Sequence, residues 1–249
     1  MNRTLVRSYN ILQMISESSE GISLKNIAES MNIPKSSAFD IVQTLVSLHL
    51  LEPSRHNEKK YVLGSKMYSL GVKYITNSNL VEVCQTFLDS LADKYHRNAF
   101  VGVLEDDKVV YIYKYVGSGA KLATCNVGSN AELYYTALGK SLLAFSEPSK
   151  REKIINMIHF EKRTERTIVS KEMLAKECEI VQRRGYSMDD REYEAHMLCF
   201  GCPIFDYTNQ VVAAISLSDL YSPDVERDAI GHDLMEVAAK ISRRLGYTR

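Results

Sequence analysis

Lys35, Ser36, Ser37, Phe39 and Asp40 sit together in the run KSSAFD, directly after Pro34. An ammonium, two hydroxyls, an aromatic ring and a carboxylate on the first turns of one helix are groups that reach phosphates and base edges. Lys35 suits a phosphate. Asp40 repels one, so it either faces a base edge, accepting from cytosine N4, or serves only a local contact. A plainer reading keeps Ser36 or Ser37 as helix starters and Phe39 as core. Arg7, further upstream, reaches a phosphate or the minor groove, or pairs with an acid.

A second concentration of chemistry lies at Asp189-Asp190-Arg191-Glu192-Tyr193-Glu194-Ala195-His196, followed by Cys199-x-x-Cys202. Acids, histidine and thiols at this spacing raise metal binding. Against it, Cys199 and Cys202 are three apart on an expected strand and so face opposite ways, and no second ligand pair is present. A looser metal site of Asp189, Cys199 and His196 stays open as an alternative. A nucleophile at Ser216 or Cys199 with His196 as base is the enzymatic reading. His196 and Cys199 fall on opposite strand faces, and the chain has no G-x-S-x-G, P-loop or G-x-G-x-x-G. The expectation is therefore no catalysis, no metal and no cofactor.

The elements that must position these groups follow from periodicity. Leu5–Ile15 repeats apolar residues at helical spacing. Ser23 reads as an N-cap for a short helix carrying Leu24, Ile27, Ala28 and Met31. Asn32-Ile33 breaks it, and Pro34 suits the first turn of the next helix, which buries Ala38, Ile41, Val42 and Leu45 and ends near Leu48. Two helices across so short a turn are a helix-turn-helix. Leu50–Glu52 and Tyr61–Leu63 read as strands, with Pro53–Lys60 as a wing whose tip carries Arg55, His56, Lys59 and Lys60. Met67, Leu70, Gly71, Tyr74 and Ile75 suggest a connecting helix. Beyond it come a helix at 81–95, strands at 99–105, 109–116 and 121–125, helices at 137–145, 148–158 and 171–184, strands at 197–205 and 210–217, and a closing helix at 222–245. Asp106-Asp107-Lys108 is a hairpin signal, and Gly185 a helix C-cap.

Composition sets bounds. In 249 residues, 45% are hydrophobic and 25% charged, enough for sizeable cores. Five cysteines, an odd number at scattered positions, fit reduced thiols in a cytoplasm. No signal-like or membrane-length apolar run is present. Net charge is zero, and the first 64 residues hold seven Lys/Arg against six Asp/Glu, a balance of only +1. One copy should bind DNA weakly, so tight binding calls for several copies or good base contacts.

The motif order resembles the isocitrate lyase regulator (IclR) family of bacterial transcription factors. VRSYNILQMI is similar to the family's opening helix with its arginine, LKNIAESMNIPKSSAFDIVQTL to its helix-turn-helix, and RHNEKKYVLG to its wing. YYTALGKSLLAF resembles the helix before its pocket, and GYSMDDREYEAHMLCFGCPIFDYTNQVVAAISLSD its most diagnostic block. The chain departs from the family at Phe39-Asp40, at Tyr135 in a common histidine position, and at His196 in place of a common glycine. The resemblance implies an α+β chain: a winged helix-turn-helix over residues 1–63, a linker helix over 64–78, and a GAF-like effector-binding and oligomerisation domain with an antiparallel sheet over 79–249.

By the same resemblance, an effector would meet the backbone of Ala137, Leu138 and Met197 and the side chains of Asp189, Cys199, Ser216 and Ser218. Spacing agrees in part. Ser216 and Ser218, two apart on a strand, share a face, and the start of the helix at Ala137 favours an anion. A small organic acid suits such a site. Both serines as hydrogen-bonded core, with Cys199 as apolar filler, is the alternative. The expectation is a cytoplasmic regulator, a repressor by preference, acting as a dimer or tetramer on double-stranded operator DNA, away from membranes. A ligand-binding module that does not act through DNA is the rival.

Overall fold

The computed structural model describes residues 2–70, 80–121 and 125–248. The chain divides into two compact units, Met1–Asn77 and Ser78–Arg249.

The first unit packs three helices on a small antiparallel sheet. They are α1 (Arg3–Ser16), α2 (Leu24–Ser30) and α3 (Lys35–Ser47), with strands β1 (Ile22–Ser23), β2 (Leu51–Ser54) and β3 (Asn57–Leu63) in the order β1-β3-β2. The Ser23 hydroxyl accepts from Asn26 N at 3.3 Å and starts α2, as its position predicts. Asn32, at φ 49°, makes the corner. Asparagine tolerates this left-handed conformation better than most residues. Pro34 stands one residue before the helix, at the N-cap. Ala38, Ile41, Val42 and Leu45 all face the core with Ile11, Ile15, Ile27 and Leu51. Full burial of aliphatic side chains of this kind contributes about 1.5–3 kcal/mol each.

The wing is tighter than expected. β3 begins at Asn57, so only Arg55 and His56 form the turn, and Lys59 and Lys60 lie along the strand. A polar ribbon with water on most of its surface carries no hydrophobic alternation to reveal it. Pro53 is tolerated because β2 is an edge strand. Residues 65–70 are helical; the rest of the expected connecting helix lies outside the described residues.

The second unit is built on one six-stranded antiparallel sheet in the order β6-β5-β4-β9-β8-β7. Its strands are β4 (Asn98–Glu105), β5 (Lys108–Val116), β6 (Asn130–Glu132), β7 (Ser187–Asp190), β8 (Met197–Phe205) and β9 (Val211–Leu220). One face carries α4 (Leu80–Lys94) and α8 (Arg227–Arg244) over Leu198, Phe200, Cys202 and Ile204. The other carries α5 (Ala137–Phe145), with α6 (Pro148–Met157) and α7 (Lys171–Arg184) beyond it. Gly185, at φ 86°, closes α7 as its C-cap.

Four expectations change here. β6 and β7 are too short and polar to be seen as strands in the sequence. The closing helix starts at Arg227, five residues later than expected, after the loop that holds Pro223. Of the strand expected over 121–125, Lys121 and Cys125 belong to no strand, and 122–124 lie outside the described residues. His196, expected on a strand, sits in the turn before β8.

Candidate functional site: a helix face for DNA and an enclosed cavity

On α3 the apolar residues take one face and leave Lys35, Ser36, Phe39, Asp40, Gln43, Thr44 and Ser47 exposed on the other. Phe39 is 47% exposed, which removes it from the core. Ser37 is half-buried, at the margin of this face. Gln43 and Thr44 share the face but are not singled out by the sequence motif, although i, i+4 and i, i+8 spacing from Lys35, Ser36 and Phe39 points to them. The Thr44 hydroxyl is turned back on Asp40 O at 2.8 Å. Arg55 and Lys59 are exposed, whereas Lys60 is held by Glu20 at 2.9 Å and is the least available of the wing cations. Arg7 is half-buried and makes no ion pair among the described residues.

In the second unit, Ala137, Leu138, Asp189, Met197, Cys199, Ser216 and Ser218 all line one cavity. Sheet register makes this happen. Asp189 lies opposite Cys199, Cys199 opposite Ser218, and Gly201 opposite Ser216, so residues far apart in sequence form neighbouring rows on one sheet face. The Cys199 thiol and Ser218 hydroxyl are 3.1 Å apart. Helix α5 comes down on Gly201, where a Cβ would meet Ala137 O at 2.5 Å. The Thr136 hydroxyl caps α5 by accepting from Gly139 N at 3.1 Å. The first-turn N–H groups of Ala137 and Leu138 have no acceptor within the helix.

Phe100, Tyr111, Cys125, Thr136, Tyr193 and Glu194 complete the lining. Sequence reasoning missed them. For Tyr111 the cause is a bulge: Val101 pairs with Tyr113 and Gly102 with Tyr111, leaving Ile112 extra. A bulge reverses the alternation. Tyr111 therefore faces the cavity, while Tyr113 turns to Asp89 on α4, at 2.9 Å.

The 191–196 segment forms one wall and is tied from several sides. Asp189 Oδ1 accepts from Glu192 N at 2.8 Å and Tyr193 N at 3.3 Å. Thr167 donates to Glu192 O at 2.6 Å, and Thr164 to Arg191 O at 2.7 Å. Tyr193 stacks on Tyr135, ring centroids 4.7 Å apart. Lys140 of α5, fully buried, reaches Glu192 at 2.6 Å and Glu177 at 3.5 Å. It sits inside the apolar run ALGKSLLAF, where a lysine with no partner would be expelled; that is the signal the sequence offered.

Burial pushes the Asp189 carboxyl up to about 6, against the opposing pull of Lys140 and the two N–H groups. Burial likewise lifts Glu192 to about 7, with Lys140 again opposing. The Cys199 thiol is pushed well up by burial, so it is a poor nucleophile and a poor metal ligand. His196 is exposed, stands 3.5 Å from Glu194, and is not part of the cavity lining. The arrangement of Asp189, Cys199 and His196 around a metal is therefore not formed, and no group of three metal-ligating side chains occurs among the described residues. No helix among them is long and apolar enough to cross a membrane.

Comparison with known proteins finds two family models. The IclR helix-turn-helix domain matches residues 4–55, and the bacterial transcriptional regulator IclR C-terminal domain matches 72–243. The HTH-type transcriptional regulator KdgR of Dickeya chrysanthemi is 28% identical over 247 residues, covering 98% of this chain and 80% of the relative. An HTH-type transcriptional regulator of Haemophilus influenzae is 30% identical over 257 residues, covering 99% of this chain and 94% of the relative. Among solved structures, the Agobacterium tumefaciens repressor BlcR matches with a TM-score of 0.84 at 25% identity, over 99% of this chain and 98% of that one.

Proposed function

This chain belongs to the IclR family of bacterial transcriptional regulators, and we propose that its second unit takes up a small organic acid whose binding sets how tightly the first unit holds operator DNA. As a member of that family it is a DNA-binding regulator and not an enzyme. The observation that carries the effector reading is the cavity itself. Three strands and one helix start, spread from Ala137 to Ser218, turn polar groups onto a single pocket. A core that needed only packing would fill such a space with aliphatic side chains.

The cavity now encloses about 30 Å³, room for one or two waters. A ligand must therefore displace a wall. The 191–196 segment is the irregular wall, and it bears both Tyr193 and Glu194. Ligand binding would redraw its ties to Lys140, Thr164 and Thr167 and so select a second arrangement of the unit, which is what changes DNA affinity by linkage. The likeness to the repressor BlcR supports repression as the mode here.

On the DNA side, the exposed face of α3 would enter the major groove. Lys35, Arg55 and Lys59 would contact phosphates, and Ser36, Ser37, Phe39 and Asp40 would lie along base edges, with Arg7 at the backbone or minor groove. The near-neutral first unit supports action as a dimer or tetramer, because joined heads multiply weak contacts. Leu5 and Tyr9, one turn apart on α1 and both exposed, offer an apolar strip that a second copy could cover. Work on operator DNA supports a cytoplasmic location. The test is DNA binding to the gene's own upstream region at low salt. The native chain should shift it selectively and Lys35→Glu should not. An unselective shift, or one indifferent to Lys35→Glu, would contradict the reading.

A further inference from the structure

On the exposed face of α3, Phe39 is the one side chain that can neither donate nor accept a hydrogen bond. Its neighbours there are Lys35, Ser36, Asp40 and Gln43, all exposed. The ring is 47% exposed, packs in no hydrophobic cluster and stacks on no other ring among the described residues. A single apolar residue ringed by polar ones is too small a patch to seat a protein partner. Nor does the helix need it there, since aromatic residues form helices less readily than alanine.

Asp40 stands beside it, exposed and, when ionised, an acceptor only. Its carboxylate makes no hydrogen bond or ion pair among the described residues; only its backbone oxygen is used, by Thr44. A local contact that would occupy it is therefore not formed. The free carboxylate restricts where this turn can lie on DNA. Against a phosphate strand it would be repelled, so the Phe39–Asp40 turn faces the floor of the groove, while Lys35, one turn earlier, reaches phosphates. On that floor, thymine alone presents an apolar group, its C5-methyl. Cytosine presents an amino donor at N4. Adenine also has one, at N6, but sets its N7 acceptor alongside, which repels a carboxylate.

Resting on the placement of α3 in the major groove proposed above, we infer that Phe39 specifies a thymine in each operator half-site through its methyl group, and that Asp40 specifies a cytosine through its N4 amino group. These two residues set which operator the chain selects. Lys35 and the wing cations set how tightly any DNA is held.

The experiment uses the full chain and the upstream fragment that it protects in footprinting, with single bases replaced. Uracil in place of thymine deletes only the methyl. N4-methylcytosine keeps the base pair but turns a methyl, instead of an N–H, into the groove. At one or more thymines of each half-site, uracil should weaken binding about fourfold, the worth of one methyl-sized group. At one or more cytosines, N4-methylcytosine should weaken it about fivefold or more. Phe39→Ser should abolish the uracil loss and spare the cytosine loss, and Asp40→Asn should do the reverse. Both positions are exposed, so neither substitution touches the core. No sensitive thymine, or a sensitivity that survives Phe39→Ser, would overturn the role of Phe39. The matching result at cytosine with Asp40→Asn would overturn that of Asp40. Either failure leaves the operator reading standing, because the unmodified fragment is still bound selectively. If the native chain protects no upstream fragment, the operator reading and this inference fall together.

Discussion

At the scale of single residues, the second unit depends on charges that burial alone would not permit. Lys140 sits fully buried between Glu192 and Glu177. Removing one member of such a group strands the others, so Lys140→Met should cost about 3–5 kcal/mol, readable by urea denaturation. The doubly neutral Lys140→Met/Glu192→Gln should recover much of that loss; no recovery would mean that the lysine acts through packing alone. Protonation follows the same logic. Asp189 and Glu192 have folded values of about 6 and about 7, above their ordinary 3.8 and 4.5. Each binds its proton more tightly folded than unfolded. Their contribution to stability is therefore full below about pH 4 and fades as pH rises through 6 and 7. Thermal melts should fall across that window, and Asp189→Asn should flatten its lower half, keeping the acceptor for Glu192 N. In the sequence, Asp189 was legible as a cavity-lining residue through its motif, whereas Lys140 showed only as a lysine inside an apolar run, and no single-chain pattern shows which acids will fold against it.

At the scale of elements, the recognition helix and the cavity were legible to different degrees. The buried face of α3 followed from spacing, and its exposed face with it, because a helix that commits four apolar residues to the core fixes where all the others point. The cavity depends on pairings between distant strands. Ser216 and Ser218 could be placed on one face by alternation, but their neighbours across the sheet could not. Tyr111 was hidden by the bulge at Ile112, and β6 and β7 by their shortness. The close approach of α5 to the sheet is likewise a long-range fact, and it gives a sharp test. A methyl at Gly201 would collide with Ala137 backbone and the Ser187 hydroxyl. Gly201→Ala should push α5 off the sheet, cost about 1–3 kcal/mol and abolish ligand-dependent thermal shifts while DNA binding by the first unit survives.

At the scale of the whole molecule, we propose separate tasks for the two units. The first has a charge balance of +1, with Lys60 already engaged by Glu20, so few cations per copy reach phosphates. The dependence of log affinity on log salt should be shallow for one head, and Lys35→Ala or Lys59→Ala should each lower the slope by about 0.9 for every phosphate the lysine neutralises. A slope unchanged by either substitution would remove that lysine from the interface. The central claim is that occupation of the cavity changes how the chain holds DNA. The most direct measurement titrates labelled upstream DNA, by fluorescence anisotropy, with and without an acid already shown by calorimetry to bind the chain. The operator Kd should change by about 5–150-fold, the same factor appearing in the acid's affinity when DNA is present, and both effects should be reduced by Ser216→Ala. An acid that occupies the cavity and leaves the operator Kd unchanged would contradict the claim.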